Sequence, residues 1–149
     1  MPLAWFPMLP AQSPQGIPGS FATSLRFVGT STDDTADLLA SLRDAVALLA
    51  TYPGFISARI GRAVDDESLV LVQILWDNVG AYRRALSSYD VKLTVVPLLS
   101  RAMDEPSAFE VVHTRDQYGA IDQMGALAAD AGSVSLGHAA AEWVPPAPS

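Results

Sequence analysis

Between Leu69 and Trp76 the chain reads Leu-Val-Leu-Val-Gln-Ile-Leu-Trp, with Gln73 its one polar side chain. Eight residues of this composition, rich in β-branched side chains, predict a strand. Alternation puts Val70, Val72, Ile74 and Trp76 on one face and Leu69, Leu71 and Leu75 on the other. A strand apolar on both faces is covered on both faces. One layer of helices covers a single side, so a second layer is required, most simply a second copy of the chain. Composition agrees: 50% of the 149 residues are hydrophobic and only 17% are charged, against about 25% charged in ordinary soluble domains.

The neighbouring segments supply the rest of a sheet and its helices. Phe21 to Ser31 suits a strand, with Leu25, Phe27 and Gly29 opposite Arg26 and Val28. Ser31-Thr32-Asp33-Asp34 offers capping oxygens and early acids, which favour a helix start. Leu38, Leu42, Val46 and Leu49 follow at helical spacing, widened by Leu39 and Ala45, and Pro53-Gly54 stops that helix. Phe55 to Arg62 alternates as a second strand, with Ile56, Ala58 and Ile60 facing one way and Phe55, Ser57, Arg59 and Gly61 the other. Asp65-Asp66-Glu67 makes the polar turn into the Ser68–Trp76 strand. Asp77-Asn78 caps a second helix with Tyr82, Ala85, Leu86 and Tyr89 along its stripe. Asp90 to Leu99 reads as a short helix broken around Pro97, and Phe109 to Thr114 as a last strand with Phe109, Val111 and His113 on one face.

The order strand–helix–strand–strand–helix–strand predicts an α+β, ferredoxin-like βαββαβ antiparallel sheet with its helices on one face. Residues 21–115 form this domain. Residues 1–20 are a Pro-rich arm carrying Trp5, Phe6, Met8 and Leu9, and residues 116–149 an Ala/Gly/Pro-rich extension with one weak helix near Ile121 to Ala131.

Several partners are excluded on charge and composition. Nine basic against sixteen acidic residues give a net charge of −7, and the densest basic cluster is Arg83-Arg84. Nucleic acid, which demands a basic face, is not an expected partner. The chain has no cysteine and only two histidines, His113 and His138, with no metal-ligand spacing, so no metal site is expected. No apolar run approaches the ~20 residues of a membrane helix. The stretch before Arg26 lacks the basic start of a secretory signal, which points to a cytoplasmic protein.

Tyr52-Pro53-Gly54-Phe55 after the first helix, the acidic turn, Trp76-Asp77 leading into a helix with Ala81-Tyr82, and the Phe109-Glu110-Val111-Val112 strand together resemble the antibiotic biosynthesis monooxygenase family. That resemblance spans residues 21–115 and implies a homodimeric α+β barrel. It implies a cofactor-independent oxygenase of secondary metabolism, acting on a polycyclic aromatic or polyketide-like substrate. The family also holds haem-degrading enzymes, lactone isomerases, cyclases and members without known activity. Its haem-degrading branch uses a Trp and a His within and after the second helix and an Asn on the first strand. Residues 78–99 contain neither Trp nor His, and residues 21–30 no Asn. Its anthrone-oxygenase branch pairs a strand-end Trp with a Tyr six residues on, as Trp76 and Tyr82 do. Where that branch places Asn, four residues before the Trp, this chain has Val72.

The candidate catalytic residues are accordingly Trp76, Tyr82, His113 and Arg59, with Phe27, Phe55, Val72 and Tyr89 as walls of a small-molecule site. Cofactor-free oxygenation needs a base, for which His113 is the candidate, a cation or donor for the substrate anion (Arg59 or Tyr82), and aromatic walls. An open cavity lined by Arg59, Trp76, Tyr82 and His113 is the expectation for an enzyme. Non-oxidative cyclisation or isomerisation suits the same cavity. A sealed apolar interior is the expectation for a non-catalytic binding or assembly protein of the same fold.

Overall fold

The computed structural model describes residues 19–122. Its elements run β1 (Phe21–Val28), α1 (Thr32–Leu49), β2 (Phe55–Ala63), β3 (Asp66–Trp76), α2 (Val79–Leu86), α3 (Tyr89–Thr94), α4 (Val96–Leu99), β4 (Ala108–Glu110), β5 (His113–Asp116) and β6 (Gly119–Asp122). Strands β1 to β4 make one antiparallel sheet in the order β2-β3-β1-β4. This is the α+β ferredoxin-like arrangement expected from the element order.

Local chemistry explains the elements. Ser31 caps α1 by accepting from the Asp34 amide at 3.0 Å, and Asp34 reaches back to accept from the Thr30 amide at 2.8 Å. Two amides left without intrahelical partners are thereby satisfied. The Thr30 and Arg101 hydrogen bonds hold the Asp34 carboxyl below the usual carboxylate range. α1 buries Thr35, Leu38, Leu42, Ala45 and Leu49 at spacings of three and four. Asn78 caps α2 in the same way, accepting from the Ala81 amide at 2.9 Å.

The core lies between the sheet and the helices. β1 contributes Phe21, Leu25 and Phe27, β3 contributes Val70, Val72, Ile74 and Trp76, and Val91, Val95 and Leu99 close it from the α3–α4 side. The other face of β3 carries half-buried Leu69, Leu71 and Leu75 around an exposed Gln73. Val28 and Arg26 of β1 share that outward side, and Glu105 holds Arg26 through two hydrogen bonds of 2.7 and 2.8 Å.

Four local expectations are corrected. The β2–β3 turn is Val64-Asp65, and Asp66 and Glu67 already belong to β3. An irregularity between Phe55 and Ser57 lets Phe55 pair with Trp76 while Ser57 pairs with Leu75. Phe55 therefore shares the helix side with Ala58 and Ile60, and Ile56 is the residue turned out, because a bulge shifts the alternation by one. The last strand is not continuous: β4 ends at Glu110, and His113 opens a separate two-stranded hairpin with β6. Ile121 and Asp122, expected to start a helix, are in β6. The N-terminal arm through residue 18, the remainder of that helix and the C-terminal tail lie outside the described residues.

No helix among the described residues is long and apolar enough to cross a membrane. Nor do those residues contain a group of three His, Asp or Glu side chains able to hold a metal ion.

Candidate functional site

One end of the sheet gathers aromatic side chains. Phe21 begins β1 and pairs with Trp76, the last residue of β3, which in turn pairs with Phe55 at the start of β2. Tyr82 comes down from α2 onto this group. Trp76 meets Phe55 edge-on with ring centroids 5.5 Å apart, and Tyr82 lies 5.2 Å from Phe21 and 5.6 Å from Trp76. These separations are those of favourable tilted and T-shaped ring pairs.

The backbone around the cluster is tightly tied. The Asp77 amide donates to the Gly54 carbonyl at 2.8 Å, and the Ser20 amide and hydroxyl both donate to the Asp77 carbonyl, at 3.2 and 2.7 Å. Gly54 has φ of +92°, and a Cβ there would stand 2.3 Å from the Ala81 Cβ. Only glycine permits both that backbone and that approach of α2 to β2. The Pro-Gly element that stops α1 thus also seats the helix bearing Tyr82.

Three polar atoms inside this end of the core have no hydrogen-bond partner among the described residues: the Trp76 indole Nε1, the Tyr82 hydroxyl and the Thr23 hydroxyl. Trp76, Tyr82 and Thr23 are each at most 1% exposed. Most buried polar atoms are paired, so three orphans at one end of the core call for an explanation. Desolvation pushes the Tyr82 phenol well above its ordinary pKa, so it stays protonated and donates. The indole N–H can only donate, and the threonine hydroxyl both donates and accepts. Two donors backed by aromatic walls suit an oxygen carrying negative charge, held out of water where hydrogen bonds are strong.

The residues expected to form the site do not all meet. Trp76, Tyr82 and Phe55 come together. Val72 and Phe27 are buried on the same face, but Val72 is four residues back along β3 and Phe27 six residues along β1 from Phe21. At about 3.3 Å per residue they sit roughly 13 and 20 Å from the Trp76 end. Arg59 pairs with Gln73 on the opposite face of the sheet and is exposed. Tyr89 opens α3 rather than continuing α2 and is 74% exposed. His113, expected inside the core, is half-exposed on the β5–β6 hairpin, with its Nδ1 2.6 Å from an Asp122 carboxylate oxygen. The strand that was to carry it inward breaks at Val111-Val112.

Thr23 and Phe21 were not among the expected site residues. The signal was present: alternation places Thr23 between Phe21 and Leu25 on the buried face of β1. A hydroxyl at such a position is ordinarily paired, and only the tertiary structure shows that this one is not.

Residues 25–95 match the family model of antibiotic biosynthesis monooxygenases. No curated protein is significantly similar to the chain in sequence. Among solved structures, the chain is similar to SnoaB, a cofactor-independent oxygenase from Streptomyces nogalater, at 20% identity over 61% of this chain and 91% of that one, with a TM-score of 0.52. A putative antibiotic biosynthesis monooxygenase from Chloroflexus aurantiacus aligns at 17% identity over 64% and 96% of the two chains, TM-score 0.52. A conserved protein of unknown function from Bacteroides thetaiotaomicron aligns at 12% identity over 62% and 99%, TM-score 0.51. At these identities the structural likeness establishes the fold. Residues 25–95 of the chain thus carry the match to the antibiotic biosynthesis monooxygenase family model, on a ferredoxin-like α+β fold.

Proposed function

We propose that the Phe21–Phe55–Trp76–Tyr82 cluster binds a planar, oxygenated aromatic compound and promotes its reaction with dioxygen without a cofactor. The observation carrying this reading is the set of three unpartnered polar atoms at the aromatic end of the core. The Trp76 N–H and the Tyr82 O–H hold the oxygen of the ionised substrate and lower its pKa. The cluster itself contains no base, because Tyr82 is held protonated. The proton therefore passes to solvent before the ring is enclosed, and the site selects substrates acidic enough to ionise in water. For a ring CH2 activated by a conjugated carbonyl, loss of a proton leaves a delocalised anion. One electron passes to dioxygen, and the resulting radical pair combines into a C–O bond. The peroxide takes back a proton and loses water, so CH2 and O2 become C=O and H2O. Exclusion of solvent strengthens the donors and protects the anion.

Trp76 and Tyr82 are sealed from solvent, and Arg59 and His113 do not join them, so the open cavity expected of an enzyme is not formed among the described residues; on the oxygenase reading this end of the core must open to admit a ring. No step is assigned to Arg59 or His113 within one protomer. The outward Leu69, Leu71 and Leu75 face is the surface on which two copies pair in this reading, and Arg59 then lies at that interface.

A second reading follows from the same burial: a binding or assembly protein whose interior stays closed, or a cyclase or isomerase that polarises a carbonyl without oxidising its substrate. Oxygen uptake with a panel of anthrones and naphthols, with product masses, separates these. Oxygenation gives a product with one oxygen gained and two hydrogens lost, and uptake that falls in Trp76→Phe and Tyr82→Phe. An isomerase gives product of unchanged mass. Absence of both turnover and binding across the panel would falsify the small-molecule site.

A further inference from the structure

Thr23 differs from the buried Ser20 and Thr35. Ser20 donates to the Asp77 carbonyl at 2.7 Å and Thr35 to the Ser31 carbonyl at 2.8 Å, so the fold pairs such groups when it has nothing else to do with them. Thr35 uses the carbonyl one helical turn back. A strand offers no equivalent, because successive carbonyls point sideways into the ladder. Thr23 is held on both sides, opposite Ile74 in β3 and Ala108 in β4, and its branched side chain has few rotamers. Its hydroxyl is therefore fixed in place without a partner among the described residues. Valine has nearly the same shape and no polar atom to desolvate, so the oxygen is the only part of this side chain that packing does not explain.

Register puts that oxygen beside the site. Phe21 faces Trp76 and Thr23 faces Ile74 on the same side of the sheet, which makes Thr23 and Trp76 diagonal neighbours, roughly 7 Å apart at Cβ. Tyr82 packs on both Phe21 and Trp76. The indole N–H donates only. The Thr23 hydroxyl can also accept, so it suits a ligand O–H a short distance from the oxygen that Trp76 and Tyr82 hold.

Resting on the reading of this cluster as a small-molecule site, we infer that Thr23 determines specificity: it selects aromatic ligands bearing a second oxygen, as a hydroxyl, over those with one. A site built to bond a ligand hydroxyl discriminates against the analogue lacking it, because its own polar group is then left unpaired.

The test titrates 1-naphthol, 2-naphthol and the dihydroxynaphthalene isomers against the whole chain by calorimetry. Wild type is expected to bind at least one dihydroxy isomer roughly tenfold more tightly than either naphthol. Thr23→Val should bring that ratio to about one, and Thr23→Ser, which keeps the oxygen, should restore most of it. Without ligand, Thr23→Val should raise the denaturation midpoint. A ratio that survives in Thr23→Val overturns the role of Thr23 and leaves the site standing. Failure of every naphthol to bind wild type overturns both. A lowered midpoint in Thr23→Val shows that the hydroxyl has a partner and refutes the inference by itself.

Discussion

Replacing Tyr82 by phenylalanine removes one oxygen from the core and nothing else. In most proteins that change costs about 0.5–1.5 kcal/mol, since the buried hydroxyl is hydrogen-bonded. Here the hydroxyl is buried without a partner among the described residues, and an unpaired buried polar group carries a penalty of about 1–3 kcal/mol. The ring contacts with Phe21 and Trp76 persist in phenylalanine. The sign should therefore reverse, with Tyr82→Phe more stable by about 1 kcal/mol, or roughly 4–8 °C in Tm for a domain of this size. Urea unfolding followed by circular dichroism measures this, with an unchanged m-value confirming that the folded state is the same. The alkaline limb gives an independent check. Desolvation raises the Tyr82 pKa in the folded chain, so the unfolded chain ionises first. Wild type then loses stability as pH rises above about 10, at up to about 1.4 kcal/mol per pH unit, and Tyr82→Phe lacks that component. A variant less stable than wild type by about 1 kcal/mol or more would mean that the hydroxyl is satisfied, and the argument from orphaned polar atoms would fail. The accompanying loss of ligand affinity is the stability–function conflict expected of a binding site.

Three further outcomes are expected. Gly54→Ala meets both the positive φ and the Ala81 Cβ, and should destabilise by about 2–4 kcal/mol; a denaturant midpoint within experimental error of wild type would contradict the packing of α2 on β2. If two copies pair through the outward face, Leu71→Arg counts twice in the symmetric pair, so sedimentation equilibrium at micromolar concentration should give a dimer for wild type and monomers for the variant; the same mass for both would remove that face as an interface. Glu105 has its pKa lowered, chiefly by the hydrogen bonds from Arg26, so its contribution is present above the ordinary glutamate range, about 4.3, and disappears as pH falls through its lowered value. The pair is partly solvent-exposed, so Glu105→Gln should cost less than about 1 kcal/mol at neutral pH and flatten the acid limb of a Tm-against-pH profile; an unaltered acid limb would count against the pair.

The sequence alone determined the layers of this protein. Helix periodicity from Leu38 to Leu49, capping at Ser31 and Asn78, and alternation in β1 and β3 are local patterns, each set by a side chain's relation to its own backbone. The same patterns placed Trp76 on the buried face and Tyr82 on the helix stripe, so half of the aromatic cluster was legible in the order of residues. Tertiary structure decided the rest, for a consistent physical reason: each remaining question concerned what a residue meets across space. The bulge at Ile56 turned Phe55 toward Trp76, the break after Glu110 carried His113 out to a hairpin, and strand register left Arg59 on the far face. Alternation could show that Thr23 points inward. Whether an inward hydroxyl finds a partner depends on carbonyls from other elements, and around Thr23, Trp76 and Tyr82 the described residues supply none.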